Sequence, residues 1–255
     1  MTQFYSIDLR LSRAQKCLDE LKAGSREFLK GDPYQVVQES DLKKGVHIFR
    51  VRITKTPPLD LSVIAAECIH HLRASLDNFL WKIARDELGF SRSKLGRLYF
   101  PVCVSEESWL GKKAELAEFF RQEIIEFLDS LQPYHALKTE RDGVRANKIL
   151  ILNRLSNDEK HQAPSLLEFA IIRTGKIICE AEHDTRFFAG HKNNAIVVKV
   201  TAEPNAEVEI ESDFVFEIAL GPDTPCDGQP AIEFLENLHE TPIECVFTPF
   251  PPPRP

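Results

Sequence analysis

The stretch DLSVIAAECIHHLRASLDNFLWKIARDEL, residues 60–88, decides the fold class of this chain. Its apolar side chains recur every three or four residues, which is the period of one face of an α-helix. That apolar stripe consists of Ala65, Ile69, Leu72, Leu76, Phe79, Leu80 and Ile83. A stripe of this length predicts a long helix that lies buried at the centre of a helical lobe.

Three further helices are predicted around the central one. Residues 5–30 repeat apolar side chains at spacings of four and three, and the Gly-Asp-Pro segment 31–33 ends the pattern. Residues 110–131 carry a common apolar face that stops before Pro133, and residues 144–161 carry another. Together with the central helix, these segments predict a four-helix bundle.

Strand patterns interrupt the helical region and then follow it. Two runs rich in β-branched and aromatic residues flank a polar turn and predict a β-hairpin at about 34–53. Short β-rich pieces come later, at 166–173, 176–182, 194–203 and 206–220. A short helix is expected at 231–239. We therefore expect an α+β fold. Residues 1–163 form a helical bundle lobe that carries the hairpin, 164–248 a smaller antiparallel β-rich lobe, and 249–255 an exposed Pro-rich tail.

The composition excludes several classes of protein. With 43% hydrophobic and 28% charged residues, the 255-residue chain is neither disordered nor fibrous. Its formal net charge of −7 gives no global attraction to nucleic acid or to an anionic membrane. The six cysteines occur singly, no signal-like apolar segment opens the chain, and no apolar run is long enough to cross a bilayer. These features predict a cytoplasmic protein that makes no membrane contact.

Three polar side chains on the central helix form the first candidate site. At 100° per residue, His70, Arg73 and Asp77 lie within about 60° of one another beside the apolar stripe. The guanidinium fork of arginine suits phosphate, histidine titrates near neutral pH, and a carboxylate can orient either group. The alternative is that Arg73 and Asp77, spaced i and i+4, only pair with each other.

A second candidate group ends the fourth predicted helix, where Lys160 and His161 could hold a phosphate or assist proton transfer. Equally, these positive residues could simply interact with the negative end of the helix dipole. No metal or other cofactor is expected, because His70 and its neighbour His71 point about 100° apart on a helix. A metal-dependent enzyme using His70 or His161 is one alternative. The chain lacks the usual motifs of dinucleotide enzymes, P-loop NTPases, zincins and α/β-hydrolases.

Several short segments share their order and spacing with a known family. They are PYQVV, VRITKTPPLDLSV, HHLRASLDNFLWKIA, YFPV, LQPYH and LNRLSNDEKHQ. Over residues 33–162 the chain resembles a family of uncharacterised bacterial proteins with an L-H-N-L-R-S-A-L-D-H pattern, then F-P, Q-P-Y and a D-K-H-R-like segment. The R-x4-H element of that family is similar to the motif of HEPN (higher eukaryotes and prokaryotes nucleotide-binding) domains. These helical bundles often dimerise and include metal-independent RNases of defence and toxin systems.

The resemblance implies a HEPN-like bundle, a homodimer and a site for RNA or nucleotide phosphate. Arg73 stands at the arginine position of the motif, but Asn78 stands at the histidine position and cannot titrate. In an unbroken helix the two positions also project about 140° apart. His161 is therefore nominated as the substitute histidine.

Two functions follow from these observations. The first is a HEPN-like dimer that binds RNA or nucleotide phosphate and, if it is an enzyme, acts as a weak or degenerate metal-independent endoribonuclease in a bacterial defence or stress system. Its predicted catalytic residues are Arg73, His161 and Asp77, and its predicted substrate-binding residues are His70, Asn78 and Lys160. The second is a non-catalytic module for protein–protein interaction or regulation, in which Asn78 at the histidine position indicates that catalytic activity was lost. The acidic net charge favours this second function.

Overall fold

The fold is mixed α+β, with long helices and antiparallel sheets, as the sequence predicts. It is given by a computed structural model that describes residues 5–88, 98–137, 148–157, 167–173, 176–187, 193–211, 215–221 and 224–248. Its contacts divide the chain into two units. The helical unit is Met1–Asp19, Ile64–Ala163 and Leu235–Pro255, and the β-rich unit is Glu20–Val63 and Pro164–Phe234.

This division includes the expected boundary between Ala163 and Pro164, but it also assigns Glu20–Val63 to the β-rich unit and Leu235–Pro255 to the helical one. The hairpin belongs to the β-rich unit rather than to the helical one, because its second strand pairs with a strand from the C-terminal half of the chain. Backbone hydrogen bonds to that strand bind the hairpin into a larger sheet. The contacts of the chain thus group the hairpin with the C-terminal strands, whereas sequence order groups it with the helices.

The helices are bounded as follows: α1 is Tyr5–Leu29, α2 Leu59–Leu88, α3 Glu106–Leu116, α4 Gln122–Ser130, α5 148–157 and α6 Ala231–Pro242, with a 3₁₀ helix at Pro133–Leu137 and a π-helix at Ile243–Phe247. The predicted stripe of α2 is buried at all seven positions. The central helix is thus confirmed, together with its buried face.

The third predicted helix, 110–131, is two helices. The side chains of Ser105 and Ser108 cap each other's backbone and start α3 four residues earlier than expected. Beyond Leu116 the chain makes a turn, with the amides of Phe119 and Phe120 both bonded to the Leu116 carbonyl. Arg121 is extended before α4 begins. No glycine or proline marks this break, so the continuous apolar face conceals it.

The strands are β1 Tyr34–Asp41, β2 Val46–Ile53, β3 Leu167–Arg173, β4 Lys176–Cys179, β5 His183–Phe187, β6 Ile196–Ala202, β7 Val208–Glu211 and β8 Val215–Leu220. A four-stranded sheet has the order β1-β2-β6-β5, while β3 pairs with β8 and β4 with β7. All these pairs are antiparallel. The predicted hairpin is confirmed, and its strands pair with Tyr34 opposite Ile53.

The turn of the hairpin requires glycine. Gly45 has a φ of 62°, in the left-handed region, and a Cβ at this position would overlap the carbonyl oxygen of Ala202. The amide of Ala202 in turn donates to the Gly45 carbonyl over 2.8 Å. The close approach of β6 to the hairpin turn is thus possible because Gly45 has no side chain.

The core of the β-rich unit is largely valine. It consists of Tyr34, Phe49, Val51, Val197, Val198, Val200 and Val208. β-branched side chains pack well on a pleated sheet, which explains why these runs form strands. Within the described ranges, no helix has both the length and the apolar character needed to span a membrane.

Candidate functional site

Arg73 and Asp77 form an ion pair on α2, one helical turn apart. Nη1 of Arg73 lies 2.7 Å from Oδ1 of Asp77, and the two side chains are only 12% and 26% exposed. The i, i+4 spacing places both groups on one face of the helix. Because the pair is mostly shielded from water, its charges interact more strongly than those of a surface pair.

The remaining bonds of this pair reach other parts of the helical unit. Nε of Arg73 donates to Oδ1 of Asn153 on α5 over 3.2 Å, and Nη2 donates to the carbonyl oxygen of Phe100 over 2.8 Å. Oδ1 of Asp77 accepts from the amide of Phe100 over 2.9 Å. Arg73 and Asp77 therefore hold both backbone polar groups of Phe100. We call Arg73, Asp77, Asn153 and Phe100 the Arg73 clamp.

The clamp has a marked electrostatic environment. Burial lowers the pKa of Arg73, and the negative charge and hydrogen bond of Asp77 act in the opposite direction. A guanidinium nevertheless stays charged throughout the physiological range. Asp77 is the charge that compensates this desolvated cation.

Gln132 anchors the same segment of chain from the other side. Its side chain is fully buried; Oε1 accepts from the amide of Cys103 over 2.9 Å, and Nε2 donates to the carbonyls of Leu128 at 2.7 Å and Pro101 at 3.3 Å. The strap Phe100–Cys103 is thus fixed at one end by the Arg73 clamp and at the other by Gln132.

A third polar cluster lies just beyond Gln132. Oδ1 of Asp129 accepts hydrogen bonds from the hydroxyl of Tyr134 and, over 2.9 Å, from Nε2 of His135. The rings of Tyr134 and His135 pack together, with centroids 4.1 Å apart. Burial raises the pKa of Asp129, but hydrogen bonds to its neighbours outweigh burial and hold that pKa below its usual range. The cluster closes the turn between α4 and the 3₁₀ helix.

The structure brings together only part of the predicted site. His70 is exposed, and its ring lies against that of His71, 5.5 Å between centroids, rather than against the clamp. Asn78 is half-buried on α2, which is unbroken between Arg73 and Asn78, so the two side chains diverge as helical geometry requires. Lys160 and His161 lie outside the described residues.

The contacts that organise this region were not apparent from spacing. Asn153, the backbone of Phe100 and Gln132 bind partners that are far away in sequence. A signal was nevertheless present, because these residues fall in the segments LNRLSNDEKHQ, YFPV and LQPYH that carry the family resemblance. Those segments meet in the structure at the strap.

Neither a metal site among the described residues nor a similarity to known proteins assigns a role to this region. Within the part of the chain that the structure describes, no three His, Cys, Asp or Glu side chains form a group that could hold a metal ion. Comparison with protein-family models, curated proteins and solved structures finds no match.

Proposed function

We propose that this protein is a non-catalytic interaction or regulatory module with a HEPN-like helical unit, in which Arg73 serves the fold. The observation that carries the proposal is the use of the guanidinium. Three of its N–H groups donate to Asp77, Asn153 and Phe100, all within the protein. An arginine that recognises phosphate presents its fork to the ligand instead.

The chemistry of the neighbouring positions supports the same proposal. Asn78, at the position of the motif histidine, does not titrate in the physiological pH range and cannot act as a general acid or base. Asp77 already neutralises Arg73, and the chain as a whole carries a net charge of −7. A polyanion such as RNA gains little from this environment.

The Arg73 clamp also fixes a surface that suits a protein partner. Tyr99 and Val104, on either side of the strap, are 59% and 61% exposed. Glu106 and Glu107 follow in the exposed first turn of α3. Exposed apolar side chains on a rigid segment are typical anchors of protein–protein contacts, and flanking acids favour a basic rim on the partner. We therefore propose a partner with an apolar contact surface bordered by lysine or arginine.

Site-specific photo-crosslinking in cells tests this proposal. A photo-reactive phenylalanine analogue at Tyr99 is expected to form an adduct with one discrete protein, and Glu106→Lys with Glu107→Lys should reduce that adduct at least fivefold. The same analogue at Leu42, which is 49% exposed in the β-rich unit, is the matched control. An adduct with RNA would contradict the proposal, and so would a protein adduct whose yield is unchanged by the two charge reversals.

Binding of RNA or nucleotide phosphate is a second candidate function. It is favoured by the two remaining N–H groups of Arg73, which no described residue accepts, on a side chain that is still 12% exposed. Fluorescence anisotropy with labelled RNA tests it. If this candidate is correct, Arg73→Lys raises the Kd at least tenfold, whereas Arg186→Ala, which removes an exposed arginine, leaves it unchanged.

The homodimer implied by the resemblance is also a proposal. Light scattering on the purified chain should give twice the 29.1 kDa mass of one chain. The mass of a single chain over the whole accessible concentration range would contradict the homodimer. In the photo-crosslinking experiment, a second copy of this chain as the adduct would identify the dimer interface with the surface around Tyr99.

A further inference from the structure

A cleft of about 680 Å³ lies within the β-rich unit, where α1 ends and β1 begins. Its volume falls in the range of pockets that hold small organic molecules. Its lining is mixed, with the polar residues Asp32 and Gln35 beside the apolar and aromatic residues Leu29, Pro33, Tyr34, Val36, Val215 and Phe216. None of them belongs to the Arg73 clamp or to the surface around Tyr99.

Aromatic rings form one wall of the cleft. The rings of Tyr34 and Phe216 pack at 5.1 Å between centroids, and Phe28 meets Tyr34 edge-on at 6.1 Å. Burial raises the pKa of the Tyr34 phenol, which therefore stays neutral. This wall offers apolar area together with the partial negative charge of aromatic faces.

Asp32 occupies an unfavourable backbone conformation. Its φ is 45°, in the left-handed region, and it directly precedes Pro33, which disfavours helical conformations at the preceding residue. Thr54 holds the turn in place, because its amide and hydroxyl donate to the Pro33 carbonyl over 2.8 and 2.9 Å. Glycine would adopt this conformation more easily. The chain thus places a carboxylate where a residue without a side chain would fit better.

That carboxylate is available to a ligand. Within the described ranges, the side chain of Asp32 makes neither a hydrogen bond nor an ion pair. Two lysines lie near it: Nζ of Lys55 is 3.4 Å from the carbonyl oxygen of Gly31, and Lys30 pairs with Glu27 at 2.9 Å. The C-terminal end of α1 adds the negative end of a helix dipole.

The carboxylate, the helix end and the aromatic faces all favour positive charge, while the apolar side chains of the lining favour an apolar body. We propose that this cleft binds a small organic cation with an apolar body, with the ammonium group at Asp32 and the body against Phe216 and Val36. The proposal is independent of the function proposed for the helical unit.

Ligand-observed NMR titration of the full chain tests this inference with three probes of nearly equal size. Phenethylammonium is the cation, phenethyl alcohol its neutral analogue and phenylacetate an anion. The cation should bind at least tenfold more tightly than either analogue. Equal binding of the cation and the alcohol, or no binding of the cation at millimolar concentration, overturns the proposal.

Variants then test the role of the carboxylate. Asp32→Asn and Asp32→Gly should each weaken binding of the cation at least tenfold, while Asp32→Gly keeps a thermal midpoint equal to or above that of the wild type. Asn205→Gly is the matched control, because Asn205 also has a left-handed φ, 64°, but does not line the cleft. It should bind the cation as the wild type does. Unchanged binding in either Asp32 variant overturns the assignment.

Discussion

Replacing Arg73 with alanine removes the centre of the Arg73 clamp. The change deletes three hydrogen bonds, to Asp77, Asn153 and the Phe100 carbonyl. It also leaves the Asp77 carboxylate, which is 26% exposed, without its counter-ion. Asp77 keeps one hydrogen bond, from the amide of Phe100.

The expected loss of stability follows from these contacts. Each net hydrogen bond contributes about 1 kcal/mol, and bonds to charged groups somewhat more. Removing one partner of a fully buried ion pair costs about 3–5 kcal/mol, and partial exposure places this pair at the lower end. We therefore expect Arg73→Ala to lower the free energy of unfolding by about 3 kcal/mol. Arg73→Lys keeps the charge and one bond, and should lose about 1–2 kcal/mol.

Tryptophan fluorescence during urea unfolding is a suitable assay. The chain has two tryptophans, Trp81 and Trp109, and both lie in the helical unit, so the signal reports on the unit that contains the clamp. A loss of about 3 kcal/mol also corresponds to a fall of roughly 6–12 °C in thermal midpoint for a chain of this size.

The matched control is Arg13→Ala. Arg13 forms an ion pair with Glu67 at 3.1 Å in the same unit, but those side chains are 42% and 47% exposed, so the loss should stay below about 1 kcal/mol. If Arg73→Ala is no more destabilising than Arg13→Ala, the structural role of the clamp is refuted.

Three further predictions concern positions outside the clamp. Gln132→Ala should cost about 2–3 kcal/mol in the same fluorescence assay, because a buried amide loses three hydrogen bonds. Burial alone would raise the pKa of Asp129, but hydrogen bonds hold this pKa below its usual range. Its stabilisation is therefore present above the unfolded-state pKa of about 3.9 and is lost as pH falls through the lower folded-state pKa. In thermal melts below about pH 4, Asp129→Asn should therefore lose less stability with falling pH than the wild type does. The same decline of the midpoint in both proteins would contradict this prediction. In calorimetry, Gly45→Ala should lower the unfolding temperature, because the added Cβ clashes with Ala202. Gly111→Ala has open space around it and should raise the free energy of unfolding by about 0.5–1 kcal/mol.

Local periodicity predicts the long elements well. The central helix is expected at 60–88 and observed at Leu59–Leu88, and the first is expected at 5–30 and observed at Tyr5–Leu29. Both depend on apolar stripes that the fold then buries. The hairpin is equally local, since two adjacent runs pair across a short turn.

The pairing between distant strands is not predicted, even where the strands themselves are. The segment 206–220 reads as one alternating strand, but it forms β7 and β8, which pair in different sheets. The polar sequence HDTRF of β5 gives no strand signal and is ordered by pairing with β6. Such pairing is a property of the tertiary fold, which residue spacing does not encode.

The same limit applies to the candidate site. The i, i+4 pairing of Arg73 and Asp77 was one of two interpretations that spacing left open. Asn153 and Phe100, which complete the clamp, lie 80 and 27 residues from Arg73. Only the family-like segments indicated that these stretches act together.

Our central proposal is that Arg73 holds the helical unit together and that the protein does not cleave RNA. Its most direct test is incubation of the full chain with total cellular RNA in EDTA, beside Arg73→Lys and His161→Ala. We expect the wild type to cleave no more RNA than a buffer control. Cleavage by the wild type that both variants abolish, while each still unfolds in one cooperative transition, would contradict this proposal and establish metal-independent ribonuclease chemistry.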